Sequence, residues 1–346
     1  MVSLSRDLAP ARHLMRVRGA CRTVALSWLA CASACLLLPT LEPSNASAAQ
    51  QMTMRRHAIA TAGSQPYILI IGPDRQLWFT ESGASRIGRL DLANGSMREF
   101  IVPTAHSQPV GITAGGDGRL WFAEDGTNRI GRLSLNGTFR EFDCPTPMAA
   151  PDGLYTDAHG DVWFAERLAD RLAHISFDGA IHEYAGMSAG AHPLSLTARD
   201  GVIWFSEPDG DRLGYFKDGK IRELPLPPGT KPRAMLTHPD GSLWFVATGS
   251  HALARVDRNN HLQVFTLPNR RSSPRSLAVA PDGRIWFTED IVNLIGVMSP
   301  TGQLLAEYPV TAPMRGLRGI AVAPDGRVFF AAYDSGDIGE LDPGAQ

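Results

Sequence analysis

A Trp-Phe pair, set at the end of a short apolar run, returns about every 42 residues along this 346-residue chain. The copies stand at Trp78-Phe79, Trp121-Phe122, Trp163-Phe164, Trp204-Phe205, Trp244-Phe245 and Trp286-Phe287, with a seventh softened to Phe329-Phe330. The intervals are 43, 42, 41, 40, 42 and 43 residues, too even for chance. A period of this length restricts the chain to a repeat architecture, in which one supersecondary unit is stacked many times.

Aligning the copies on the aromatic pair exposes the unit. Upstream lies an apolar run and a turn, as in Val110-Gly111-Ile112-Thr113 followed by Gly116-Asp117-Gly118. Asp-Gly and Asn-Gly between apolar runs favour tight hairpins, because glycine tolerates the positive φ that such turns need. After the pair come a second turn and Arg-Ile-Gly-Arg or a relative (Arg86 to Arg89, Arg129 to Arg132), then a third turn such as Asn94-Gly95 or Asp178-Gly179. A last short run closes the unit, as in Met97-Arg98-Glu99-Phe100. Four short strands joined by hairpins, with no helical period, predict an all-β, seven-bladed β-propeller of four-stranded antiparallel blades. The aromatic pair is then packing between blades.

Ring closure is also legible. The seventh repeat stops at Gly339-Glu340-Leu341-Asp342-Pro343, before any fourth strand. The surplus stands at the other end, where Arg55-Arg56-His57-Ala58-Ile59-Ala60 aligns with Arg98-Glu99-Phe100-Ile101-Val102-Pro103. The N-terminal strand is expected to complete the last blade, leaving no open sheet edge.

Residues 1–48 fall outside the repeats and read as a secretory signal peptide. They hold five arginines, an apolar stretch from Val24 to Leu38 and the small-residue cleavage site Ala46-Ser47-Ala48. Met15 is an alternative start, and Cys31 or Cys35 an alternative lipid-anchor acceptor. Cleavage near Ala48 leaves residues 49–346 as a single propeller domain, secreted or periplasmic, with no transmembrane segment and expected to be a monomer. Three of the four cysteines lie in the leader, so Cys144 has no intramolecular disulfide partner afterwards. The leader also takes five of the 33 basic and two of the 35 acidic side chains, leaving 28 against 33. That acidic balance argues against a nucleic-acid partner.

A glutamate follows the aromatic pair in five repeats (Glu81, Glu124, Glu166, Glu207, Glu289), and four of these have an arginine five residues later (Arg86, Arg129, Arg171, Arg212). Their joint occurrence predicts Glu–Arg pairs across adjacent strands. The nine histidines after the leader show no HxH or HExxH spacing, and no phosphate loop, GxSxG elbow or CxxC occurs. No metal site is therefore assigned.

Chemistry has to be sought where the repeats disagree. The residue after the recurring proline opens each inner strand at the channel mouth. Around the ring it reads Tyr67, Val110, Asp152, Leu194, Arg233, Arg275 and Arg318, with Leu317 in place of the last proline. His192 and Lys231 stand just before the proline in repeats four and five. One side of the mouth is thus expected to be basic, and His192, Lys231, Arg233, Arg275 and Arg318 are candidate ligands for an anion. Three converging arginines repel each other unless an anion or an acidic side chain sits among them.

The units Leu77-Trp78-Phe79-Thr80-Glu81 with Ser85-Arg86-Ile87-Gly88-Arg89, and Leu120 to Glu124 with Asn128 to Arg132, resemble the virginiamycin B lyase (streptogramin lyase) family of seven-bladed propellers. The resemblance covers roughly residues 52–342. It implies opening of cyclic depsipeptide antibiotics by elimination at an ester bond, with magnesium. It also implies a site at Tyr67, Arg275, Arg318 and Tyr333. Tyr67 matches the family's tyrosine, but Arg275 stands where the family has a histidine. Gly316-Leu317-Arg318 stands in place of its Glu-Pro-His, and Tyr333 in place of a glutamate. Elimination needs a base for the α-proton and a Lewis acid for the enolate. An arginine is too weakly acidic to serve as that base at neutral pH. The alternative to a lyase is a non-catalytic module that binds an anionic ligand or acidic peptide at the mouth.

Overall fold

The computed structural model describes residues 52–344, so the proposed leader lies outside the described residues. Seven four-stranded antiparallel sheets follow one another along the chain. Six use consecutive strands, such as Pro66–Ile71, Leu77–Glu81, Arg86–Leu90 and Met97–Ile101 in the first blade. The seventh takes its fourth strand, Thr53–Ala58, from the N-terminus and lays it antiparallel on Asp337–Asp342. His57 meets Glu340 at 2.6 Å and Arg56 meets Asp337 at 2.8 Å across this seam.

The Trp-Phe pair builds the core because neighbouring residues on a strand face opposite sides of the sheet. The first member of each pair packs forward and the second packs back. Trp78 shares a buried cluster with Phe122 of the next blade, Trp121 with Phe164, and Trp163 with Phe205. The pattern runs through Trp204–Phe245, Trp244–Phe287 and Trp286–Phe330, and Phe329 returns to Phe79. Each interface sets one member of a pair from either side against the other, and seven of them close the ring.

Two smaller residues serve the same core. The turn aspartate accepts the indole N–H, at 2.9 Å for Trp78 on Asp74 and 2.8 Å for Trp163 on Asp157. The glycine of Arg-Ile-Gly-Arg lies under the phenylalanine ring: a Cβ on Gly88 would stand 2.1 Å from Phe79.

The predicted Glu–Arg pairs are corrected. The register does set Glu81 opposite Arg86, Glu124 opposite Arg129 and Glu166 opposite Arg171. Only Glu207 and Arg212 form an ion pair, at 3.0 Å. Arg129 turns to Asp143 at 2.6 Å, and Arg171 to Glu183 at 3.4 Å. Each buried glutamate is instead faced by a second glutamate, from the fourth strand, reaching across the small third-strand residue, while Glu124 and Glu289 also accept from Thr127 and Ser272. The pairs are Glu81 with Glu99, Glu124 with Glu141, Glu166 with Glu183, Glu207 with Glu223 and Glu289 with Glu307.

Two carboxylates cannot both ionise in a dry interface, so one keeps its proton. Burial first, then the facing carboxyl, pushes Glu81 up to about 9 and Glu166 up to about 8. The fourth-strand partner is free to accept. Glu183 takes hydrogen bonds from the amide and hydroxyl of Thr146, both at 2.8 Å, and Glu223 takes them from Ser188 at 2.6 and 2.7 Å. These bonds tie the linker entering each blade to that blade's outer strand.

Candidate functional site

The seven post-proline residues converge as the alignment predicts. Tyr67, Asp152, Leu194, Arg233, Arg275 and Arg318 line a neck of about 150 Å3. Val110 lines an adjoining cleft of about 730 Å3, which shares Tyr67, Asp152, Leu194 and Arg233 with the neck. A β-bulge brings them there. In the first blade Pro66 pairs with Glu81 and Leu69 with Phe79, so three residues on one strand span two on the other. The same shift occurs at Pro151/Leu154, Pro232/Met235, Pro274/Leu277 and Leu317/Ile320. A bulge re-aims a side chain at a strand end, here the residue after the proline.

Hydroxyl groups fix these strand ends across the blade boundaries. Thr288 donates to the Arg318 carbonyl at 2.8 Å and accepts from the Ser276 amide at 3.2 Å. Thr80 donates to the Val110 carbonyl at 2.8 Å in the same way. The residue before the proline is left-handed at Gln65, Gln108, Ala150, His192 and Lys231. Non-glycine residues held in that region store strain, which concentrates at sites where side-chain direction matters.

The electrostatics divide the mouth. Arg275 Nε lies 3.2 Å and Arg318 Nη1 2.5 Å from the same oxygen of Asp290. One carboxylate thus serves two guanidinium groups. Burial first, then the neighbouring Arg318, lowers the pKa of Arg275. Arg318 also lies over the Tyr333 ring at 5.1 Å, and Tyr333 meets Tyr67 edge-on at 6.2 Å. Arg233 has no hydrogen bond or ion pair among the described residues. Burial first, then Asp152, raises the Tyr67 phenol, so at neutral pH it is a proton donor and not a base. On the other side Asp152 stands 3.5 Å from Arg167, which is held more tightly by Asp125 at 2.9 Å. Burial pushes Asp152 up to about 7, with Arg167 and Arg233 opposing and Asp125 adding to the rise.

The sequence-predicted site residues do not all meet. Tyr67, Arg233, Arg275, Arg318 and Tyr333 do. His192 lines the cleft, where it faces Asp209 at 2.6 Å. Lys231 is exposed and lines neither cavity. The expected basic side is therefore narrower than the alignment suggests, and the rest of the mouth is acidic. Three residues that sequence reasoning missed occupy one position, directly after the repeat glutamate: Asp125 after Glu124, Arg167 after Glu166, Asp290 after Glu289. Tyr333 holds the same position in the seventh repeat. A second column of disagreement in the alignment was the signal for these, whereas Asp209 stands one place further on, after Pro208, and left no such signal.

Known proteins bear directly on this geometry. The sequence profile described as the Virginiamycin B lyase family matches residues 42–227 and 196–346. The chain belongs to the virginiamycin B lyase family. A solved streptogramin B lyase is 30% identical over 84% of this chain and 97% of its own, with a TM-score of 0.80. The virginiamycin B lyase of Staphylococcus aureus is 28% identical over 84% and 99%, with a TM-score of 0.79. A catalytically inactive variant of that enzyme, solved with quinupristin, is 27% identical at the same TM-score of 0.79, covering 84% and 99%. Hydrazine synthase of Kuenenia stuttgartiensis, at 13% identity and a TM-score of 0.69, shares the fold alone. No curated protein matches the chain.

The positions that the resemblance assigns to a base and to carboxylates hold Arg275, Arg318, Gly316 and Tyr333, and three of them are assembled on Asp290 and the tyrosine pair. A magnesium ion does not fit these residues: two guanidinium groups already occupy Asp290, and like charge opposes a divalent cation there. Among the described residues no group of three or more His, Cys, Asp or Glu is arranged to hold a metal.

Proposed function

We propose that this virginiamycin B lyase family member is an exported propeller that binds a small anionic molecule at its channel mouth. We propose further that it does not linearise streptogramin B by the magnesium-assisted route the resemblance implies. The observation that supports the reading is the sharing of Asp290 by Arg275 and Arg318 while Arg233 forms no ion pair among the described residues. Three guanidinium groups stand at the neck with Asp290 as their one ion-paired carboxylate, and a bound carboxylate or phosphate adds the missing negative charge through charge-assisted hydrogen bonds. The Tyr67 phenol adds a neutral donor at the same place.

A thermal-shift series tests this. Citrate, acetate, phosphate and sulfated sugars are added to the protein, with the Arg275→Ala/Arg318→Ala double variant beside it. At a hundredfold excess over its dissociation constant, a ligand stabilises by about 2.7 kcal/mol. The wild type is expected to gain thermal stability with at least one of these anions, and the double variant to gain none. A wild-type melting temperature unmoved by every anion removes the reading.

The lyase half has its own test. Quinupristin, present in the structure of the Staphylococcus aureus relative, is incubated at high enzyme concentration with and without magnesium. Intact ring is the expected result, and magnesium-dependent ring opening overturns it. For export, N-terminal sequencing of periplasmic protein is expected to begin just after Ala48.

A further inference from the structure

The mouth has two walls of opposite charge. Arg233, Arg275 and Arg318 form one, with Asp290 as their single acidic neighbour in an ion pair. Asp125, Asp152 and Asp209 form the other, with Arg167 and His192 set against them. Within the acidic wall the pairing is unequal. Arg167 gives Asp125 a 2.9 Å contact, His192 gives Asp209 one of 2.6 Å, and Asp152 receives only the 3.5 Å approach of Arg167 Nε to Oδ2. Asp152 Oδ1 has no partner among the described residues. Its side chain is 13% exposed, and it lines both the neck and the cleft.

We infer that the mouth takes a dipolar small molecule, a free amino acid or an ω-amino acid. Its carboxylate faces Arg233, Arg275 and Arg318, and its ammonium donates to Asp152. The inference rests on the anion-site reading above and adds a second pole to it. A plain anion leaves Asp152 either repelling the ligand or holding a proton in a site with no acceptor assigned. An ammonium group removes both difficulties, because a cation beside a buried carboxylate offsets the cost of its ionisation. The groups facing Asp152 are Arg167, Asp125, Arg233 and the Tyr67 phenol. Burial holds Asp152 at about 7, so it is partly protonated at neutral pH. An arriving ammonium lowers that value, and binding at pH 7 therefore releases protons.

Titration calorimetry with matched probes decides the matter. Glycine, β-alanine, γ-aminobutyrate and ε-aminohexanoate are compared with acetate, propionate, butyrate and hexanoate, in two buffers of different ionisation enthalpy. At least one amino acid is expected to bind about tenfold or more tighter than its matched alkanoate, as a charge-assisted contact supplies, with proton release. In Asp152→Asn the preference and the proton release disappear while alkanoate binding remains. In Arg233→Gln both classes weaken. Alkanoates binding as tightly as amino acids overturn the dipolar inference and leave the anion site standing. A preference that survives in Asp152→Asn overturns the role of Asp152. Binding of neither class by the wild type overturns the dipolar inference, while the anion reading falls only if phosphate, citrate and sulfated sugars also fail to bind.

Discussion

Buried carboxyl groups occur in two regions of this propeller, and the two regions treat them differently. Between blades, Glu81, Glu124, Glu166, Glu207 and Glu289 are wholly buried, each facing a second glutamate, and a proton resolves the conflict. At the mouth, Asp290 is resolved by two guanidinium groups and Asp152 by almost nothing. The interfaces repeat one carboxyl–carboxyl arrangement five times. The mouth varies its residue from blade to blade and leaves charge unbalanced. Repetition marks structure, and the departures from it mark the place where a ligand is proposed.

The largest effect expected from breaking this contrast lies at the interfaces. Trp121→Ala, which empties the seam between the second and third blades, is expected to cost about 3–5 kcal/mol in urea denaturation. Arg233→Ala at the mouth is expected to stay within about 0.5 kcal/mol. An equal loss at both sites would erase the distinction.

A smaller effect separates the two kinds of carboxyl by pH. The interface glutamates have folded values raised above the ordinary 4.5, to about 9 for Glu81, about 8 for Glu166 and about 7 for Glu124, Glu207 and Glu289. Raised groups hold more protons folded than unfolded, so their contribution is complete below about pH 4.5 and is lost as pH rises to 9. Each proton carries a slope of about 1.4 kcal/mol per pH unit. Glu81→Gln is expected to flatten the fall in stability between pH 5 and 9 by one proton. Chemical denaturation across that range measures it, and an unchanged slope would assign the proton elsewhere.

The smallest effect is a rate. Cys144 lies in the interface beside Glu166 and Glu183, and burial first, then these carboxyls, pushes its thiol well above the ordinary range. Maleimide is expected to label it only through unfolding, because the thiolate is the reactive form. Fast labelling of the native protein at neutral pH contradicts the sealed interface.

The seven interfaces were legible in the sequence because each one needs the same residues, and repetition makes a shared need visible. The first ring of mouth residues was legible because the proline marks their position in every repeat. The Glu–Arg expectation failed for an instructive reason. Arginine five residues on co-occurs with glutamate in four blades but not at Glu289, which stands opposite Leu294. Glu99, Glu141, Glu183, Glu223 and Glu307 follow the buried glutamates without exception. The fifth blade, with Ala247, has Val264 at the corresponding place, and the seventh, with Ala332, has Arg56 on Asp337. The exception in the first correlation was the trace of the second. Asp290 and Asp152 were harder to interpret, since their meaning depends on which neighbouring arginine is already taken.

The N-terminal strand has a consequence for how the molecule meets other chains. His57 and Glu340 are 283 positions apart in sequence yet in contact. A linear stack of repeats frays from its ends, losing one unit at a time. Here the packing of Phe79 on Phe329 leaves no blade with only one neighbour, and the strand at Thr53–Ala58 ties the N-terminus onto the last blade. Peeling away that single strand leaves the aromatic interface in place but bares the edge of Asp337–Asp342, a template for pairing with another chain. The clasp therefore guards the molecule against edge-to-edge association, although it is one of the least buried strands in it.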